Sequence, residues 1–102
     1  MAGTRRKPVK RTVKPGKNIV ESMAEGFRNK LVKIVNEGIK ELVIDFNGVE
    51  TVDSVGLGII LATHNSMEKS GGKLKISNMS GDIFKLSKTL GLDNQLDISA
   101  AA

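Results

Sequence analysis

The sequence predicts an α/β fold: a single domain built on a mixed β-sheet with helices packed against it. Three observations predict it. Segments with apolar residues at helical spacing alternate with short extended segments, the pattern of strand–helix–strand crossovers. The clearest strand, Glu41-Leu42-Val43-Ile44-Asp45-Phe46, is continuously apolar at its centre, as strands covered on both faces are. Glycines follow the helix-like segments, at Gly38, at Gly71-Gly72 and at Gly91, where a chain leaving a helix favours a left-handed residue.

Val9 to Val13 reads as a short edge strand, and Pro15-Gly16 as a turn. Asn18-Ile19-Val20 fits a second short strand. These N-terminal strands are expected to pair antiparallel at one edge, which makes the sheet mixed. Ser22-Met23-Ala24-Glu25 matches a capping box, in which the serine and the glutamate satisfy free backbone donors at a helix start. Met23, Phe27, Leu31, Ile34 and Val35 then recur at helical spacing, with Arg28, Lys30 and Lys33 opposite. Gly26 lies inside this helix, where it costs about 1 kcal/mol relative to alanine.

After the strand at 41–46, Asn47-Gly48 is a turn and Val49 to Val52 a short extended return. Asp53-Ser54 offers two capping side chains in a row, and a second helix runs from Val55 to Ser70-Gly71-Gly72. Lys73-Leu74-Lys75-Ile76-Ser77-Asn78 alternates with period two, a strand with one polar face. Ser80 or Asp82 caps a third helix, which places Ile83, Leu86 and Leu90 on one face with Phe84 beside them. Leu96-Asp97-Ile98 is a last short strand.

The charge is unevenly spread. Arg5, Arg6, Lys7, Lys10, Arg11, Lys14 and Lys17 fall in residues 1–17 without an acid, out of 16 basic residues in all. The rest of the chain is mildly acidic, so the net charge of +5 belongs to the N-terminus. Residues 1–17 are expected to be a basic, flexible segment, and 18–102 the domain proper. The aromatic content of 3%, all Phe, gives no base-stacking surface, and a nucleic-acid partner is not expected. The absence of cysteine excludes disulfides, thiolate metal sites and a cysteine nucleophile. No secretory signal or membrane-length apolar run is present, and a cytoplasmic location without membrane insertion is expected.

Asp53-Ser54-Val55-Gly56-Leu57-Gly58 is the stretch with chemical content. A helix N-terminus points unpaired N–H groups outward and carries partial positive charge. A phosphate on Ser54 would meet those donors and lie beside the Asp53 carboxylate, so it would change the surface sharply while sparing the fold. Val55, Leu57, Ile59, Ile60, Leu61 and Ala62 make the first turns apolar on every side, which suggests a docking patch for a partner. The plain alternative is a capped, buried helix with a close-packing glycine pair, Gly56 and Gly58.

Other groups carry less. His64 is the one histidine, too few for a zinc site. Its ten-residue offset from Ser54 on one helix is about 15 Å, too far for a triad. Asp45 and Asp53 could meet at the carboxyl edge of the sheet and hold magnesium, but a strand-end acid and a helix cap are the simpler account of them. No glycine-rich phosphate loop is present, so no cofactor is expected.

The central stretch resembles the signature of the STAS domain family, the anti-sigma-factor antagonists. That family shows a strand ending in Asp, a short loop, then Asp-Ser-Ser/Thr-Gly-Leu-Gly and an apolar helix. Here Asp45 ends the strand and Asp53 to Gly58 form the signature. The resemblance continues through Gly71-Gly72-Lys73-Leu74-Lys75-Ile76, Ile83-Phe84-Lys85-Leu86 and Leu90-Gly91-Leu92. It departs at Val55, where the family has a second Ser or Thr, and in the first strands, which are basic here.

The resemblance implies a mixed sheet of four to five strands and a partner-switching, non-enzymatic role. Ser54 would be the phosphorylation site, and Asp53, Ser54, Val55, Gly56, Leu57 and Gly58 the partner-binding stretch. The partner implied is an anti-sigma factor that is also a serine kinase, with a serine phosphatase as the resetting enzyme. Asp53 would help the kinase recognise its target. The alternative is a STAS scaffold or ligand-sensing module that works without phosphorylation in signalling or transport complexes.

Overall fold

A computed structural model describes residues 10–100. Its elements run in the order β1 (Lys10–Val13), β2 (Asn18–Ile19), a 3-10 turn (Glu21–Met23), α1 (Ala24–Asn36), β3 (Glu41–Asp45) and β4 (Thr51–Val52). There follow α2 (Ser54–Lys69), β5 (Lys73–Met79), α3 (Gly81–Thr89), a second 3-10 turn (Leu92–Asn94) and β6 (Asp97–Ala100). Four strands form one sheet in the order β1-β3-β5-β6, and β2 pairs with β4 as a separate two-residue ladder.

Among the described residues every strand pairing is parallel. The antiparallel edge expected of the first strands is not there. β1 pairs with β3 in parallel, Lys10 opposite Glu41 and Val13 opposite Ile44, because α1 carries the chain back before β3 begins. β1 also lies inside the segment expected to be flexible, and Arg11 reaches Glu37 at 2.6 Å. The remainder of that segment, residues 1–9, lies outside the described residues.

The sheet is wound in one direction only. Each crossover advances one strand the same way, and right-handed crossovers then place all three helices on one face. The register shows the consequence. Val13, Ile44, Ile76 and Ile98 share a face, as do Leu42 and Leu74. All are buried except Ile98, which packs against the cluster. The opposite face carries Glu41 between Lys10 at 3.5 Å and Lys75 at 3.7 Å. The expectation that β3 is covered on both faces is therefore corrected. Val43, which makes the strand read as continuously apolar, lies in register between Thr12 and Lys75 on the polar face and is half-buried there.

Two local readings also change. The Ser22–Glu25 capping box does not form: α1 starts at Ala24, and its N-cap residue, Met23, makes no side-chain cap bond. The backbone N–H of Glu21 donates to Asp53 Oδ2 at 2.9 Å, so a side chain from another element caps the start of the 3-10 turn that leads into α1. In α3 the buried residues are Ile83 and Ser87, while Leu86 and Leu90 are 41% and 55% exposed. Ser87 can be buried because its hydroxyl donates to the Ile83 carbonyl at 3.0 Å, so no polar group is left without a partner. That turn of the helix then selects which face goes inward.

Candidate functional site

The β2–β4 ladder brings Ile19 beside Val52, two residues before the start of α2. This end of the molecule is the carboxyl edge of the sheet, where open α/β sheets present their ligand-binding loops. Asp53 is extended (φ −114°, ψ 178°) and caps α2. Its Oδ1 accepts from the Gly56 N–H at 2.8 Å, and its Oδ2 accepts from the Glu21 N–H at 2.9 Å. Its own N–H donates to the Ile19 carbonyl at 3.2 Å. One carboxylate thus satisfies a free donor at two helical starts and fixes the two segments against each other.

Ser54 is the first residue of α2 and is exposed. Gly56 is buried, and a Cβ there would lie 2.1 Å from the Ile19 carbonyl oxygen, so position 56 admits only glycine at this backbone separation. Gly58 is exposed and has nothing within 4 Å of where a Cβ would be. The glycine pair read from the sequence is therefore one close-packing glycine and one open one.

The apolar start of α2 divides in the same way. Leu57, Ile59 and Ile60 are buried in the core, and Val55 and Leu61 pack against it. This corrects the docking patch expected of all six apolar residues. α1 and β5 pack against α2, and the outward sector of its first turns is left to Ser54, Gly58 and Ala62.

Asp45 and Asp53 are each held by hydrogen-bond donors of their own. Asp45 Oδ1 accepts from the Asn47 N–H at 2.9 Å and from Asn78 Nδ2 at 3.0 Å, tying the β3 loop to the end of β5. Among the described residues no group of three or more acidic or histidine side chains is placed to hold a metal ion. Asn78 has φ 57°, a left-handed conformation that asparagine tolerates better than most residues. Sequence reasoning passed over Asn78; the signal was an asparagine ending an alternating strand, two residues before a helix cap. Glu21 was also missed, because its role lies in its backbone and carries no residue-type signal. His64 is largely buried, with Nε2 3.3 Å from Glu68 Oε1 and a buried Nδ1 without a hydrogen-bond partner.

Both aspartates are held below the ordinary carboxylate value. For Asp53 the main cause is the Gly56 N–H, followed by the Glu21 N–H; for Asp45 it is the Asn78 amide, followed by the Asn47 N–H. A carboxylate with a lowered folded pKa contributes stability that is fully present above its unfolded value. That contribution is lost as pH falls through the folded value. The domain should therefore lose stability as acid is added below the model-peptide value of 3.8. Asp53→Asn should flatten this acid limb. Urea midpoints between neutral pH and pH 2.5 check it, and parallel curves for the two proteins would show that Asp53 makes no such contribution.

Fold and site define a class: a singly wound α/β domain with an exposed serine at a carboxylate-capped helix start on the carboxyl edge of its sheet. The chain belongs to the STAS domain family, whose profile matches residues 4–101. It is 38% identical over 74 residues to the anti-sigma-B factor antagonist of Bacillus subtilis (strain 168), covering 72% of this chain and 67% of that protein. In fold it is similar to the anti-sigma factor antagonist SpoIIAA of Bacillus in its unphosphorylated form. That match has a TM-score of 0.73 and 16% identity, over 98% of this chain and 86% of that one. It is also similar to the Thermotoga maritima protein TM1081, with a TM-score of 0.81 and 20% identity over 99% of this chain and 86% of that one. The α/β class expected from the sequence and the family resemblance both hold. No helix among the described residues is long and apolar enough to cross a membrane.

Proposed function

We propose that this protein is an anti-sigma-factor antagonist that works by partner switching, with Ser54 as the phosphate acceptor. It acts by binding and has no catalytic role of its own. Unphosphorylated, it binds an anti-sigma factor that is also a serine kinase, and the sigma factor is released. Phosphorylation of Ser54 ends that complex, and a serine phosphatase restores it. The kinship with the Bacillus subtilis antagonist supports the class of partner.

The observation that carries the reading is an exposed hydroxyl at the first position of α2, directly after a carboxylate that is held ionised. A phosphate there adds about −1.5 to −2 charge at neutral pH. Asp53 already occupies the Gly56 and Glu21 donors, so the new charge is left facing outward beside an existing one. The fold is spared and the surface met by the partner is not. Val55, the departure from the family pattern, packs against the core, so the missing hydroxyl is replaced by an inward-facing methyl pair while Ser54 stays exposed. Asp53 is proposed to help the kinase recognise its target, and its two hydrogen bonds fix the helix start that carries Ser54.

The test uses the cognate kinase and ATP. Intact-mass analysis with fragment mapping should find one phosphate, on Ser54. Ser54→Asp should weaken binding of the anti-sigma factor tenfold or more, while Ser54→Ala should bind as the parent does. Phosphate at another residue only, or equal affinity of the two variants, would end the proposal.

A further inference from the structure

We infer that the groove between α1 and α2 is the second half of the partner-docking surface, receiving an aliphatic side chain of the anti-sigma factor next to an acidic residue that pairs with Arg28. The inference rests on the partner-switching reading above and extends it from one hydroxyl to a surface. The groove has a volume of about 270 Å³; its apolar wall is Val32 and Val35 from α1 with Ile59 and Ala62 from α2, and Arg28, Asn36, Thr63 and Ser66 complete the lining. Val32 is 51% exposed there, and among the described residues only Leu86 on α3 and Leu90 at its C-cap are comparably exposed large apolar side chains.

Position selects this patch. α2 supplies both Ser54 and one wall of the groove. Eight residues separate Ser54 from Ala62, about 12 Å along the axis. Gly58 lies between them, and all three are exposed on one sector of the helix. An interface of ordinary size, about 800 Å² per partner, covers both ends of that track. Glycine and alanine there let a partner backbone approach closely.

Size and charge select the occupant. The groove lies at the small end of the roughly 300–1,000 Å³ typical of small-molecule sites, a size that one anchoring side chain fills. No acid lines it, and among the described residues Arg28 has no carboxylate within ion-pair distance. A guanidinium at the rim of an apolar groove is complemented by an acidic residue flanking an aliphatic one.

The probe is the purified anti-sigma factor that the parent protein binds and Ser54→Asp releases, with affinity measured by titration calorimetry. Val32→Asp and Arg28→Glu should each weaken binding at least tenfold. Lys73→Glu, an equal charge change at the start of β5, should stay within twofold. Val32 and Arg28 are exposed, so urea midpoints should match the parent's. The chain lacks cysteine, so Val32→Cys can carry a single nitroxide label, which the partner should immobilise. If Val32→Asp and Arg28→Glu bind like the parent and the label stays mobile while Ser54→Asp still blocks binding, the groove proposal is overturned and the switch reading stands. If the parent binds no such factor, both fall.

Discussion

Gly56→Ala is expected to destabilise the domain by about 2–3 kcal/mol, the upper part of the roughly 1–3 kcal/mol range for forcing atoms into packed space. Helix propensity alone would favour alanine by about 1 kcal/mol, so the expected sign is opposite to the local rule. The added methyl would lie 2.1 Å from the Ile19 oxygen, 2.7 Å from Ile19 Cγ2 and 2.8 Å from the Ile19 carbonyl carbon. Two of those atoms are backbone and cannot rotate away. Either α2 steps back or the β2–β4 ladder opens, and each move also displaces Asp53 from one of its two donors. Gly26→Ala and Gly58→Ala are the controls. Both positions are helical with nothing within 4 Å of a new Cβ, so each should gain about 0.5–1 kcal/mol. Urea unfolding of the three variants decides it. Three shifts of one sign would mean that the approach of Ile19 does not constrain this helix start.

Ile60→Ala is expected to cost about 3 kcal/mol, within the 2–5 kcal/mol usual for deleting a buried isoleucine side chain. Ile60 is 0% exposed, at the centre of the face that α2 turns toward the sheet. A domain of this length has about 5–15 kcal/mol in total, so this one change removes a large fraction of it. Ala62→Ser, two residues on and exposed, should change the unfolding free energy by no more than about 0.5 kcal/mol. The pair separates core from docking roles within one apolar run. Measured where the protein remains folded, Ile60→Ala should leave affinity for the anti-sigma factor near the parent's. A selective loss of binding with unchanged stability would place Ile60 on the surface instead.

The sequence carried much of the fold through local signals. The Gly71-Gly72 break ends α2 at Lys69, and β5 alternates as its period implies. Asp53 caps α2, as an aspartate before an apolar helical run should. The errors came where local rules competed with distant contacts. Ser22 and Glu25 had the composition of a capping box, but a carboxylate 32 residues away in sequence takes the Glu21 donor. Leu86 and Leu90 are more apolar than Ser87, yet Ser87 is inside because its hydroxyl finds a carbonyl one turn back.

At the candidate site the division is similar. Residue order alone determined the fold class, the capped start of α2 and the family, since these depend on periodicity, short-range hydrogen bonding and a local motif. Tertiary structure decided that the sheet is wound one way with a polar back, that Gly56 lies against Ile19 while Gly58 faces open space, and which apolar residues of α2 stay outside. Those outcomes depend on which backbone arrives beside which. Burial is a property of the assembled layers, whereas a helical period or a cap is complete within a few residues of chain.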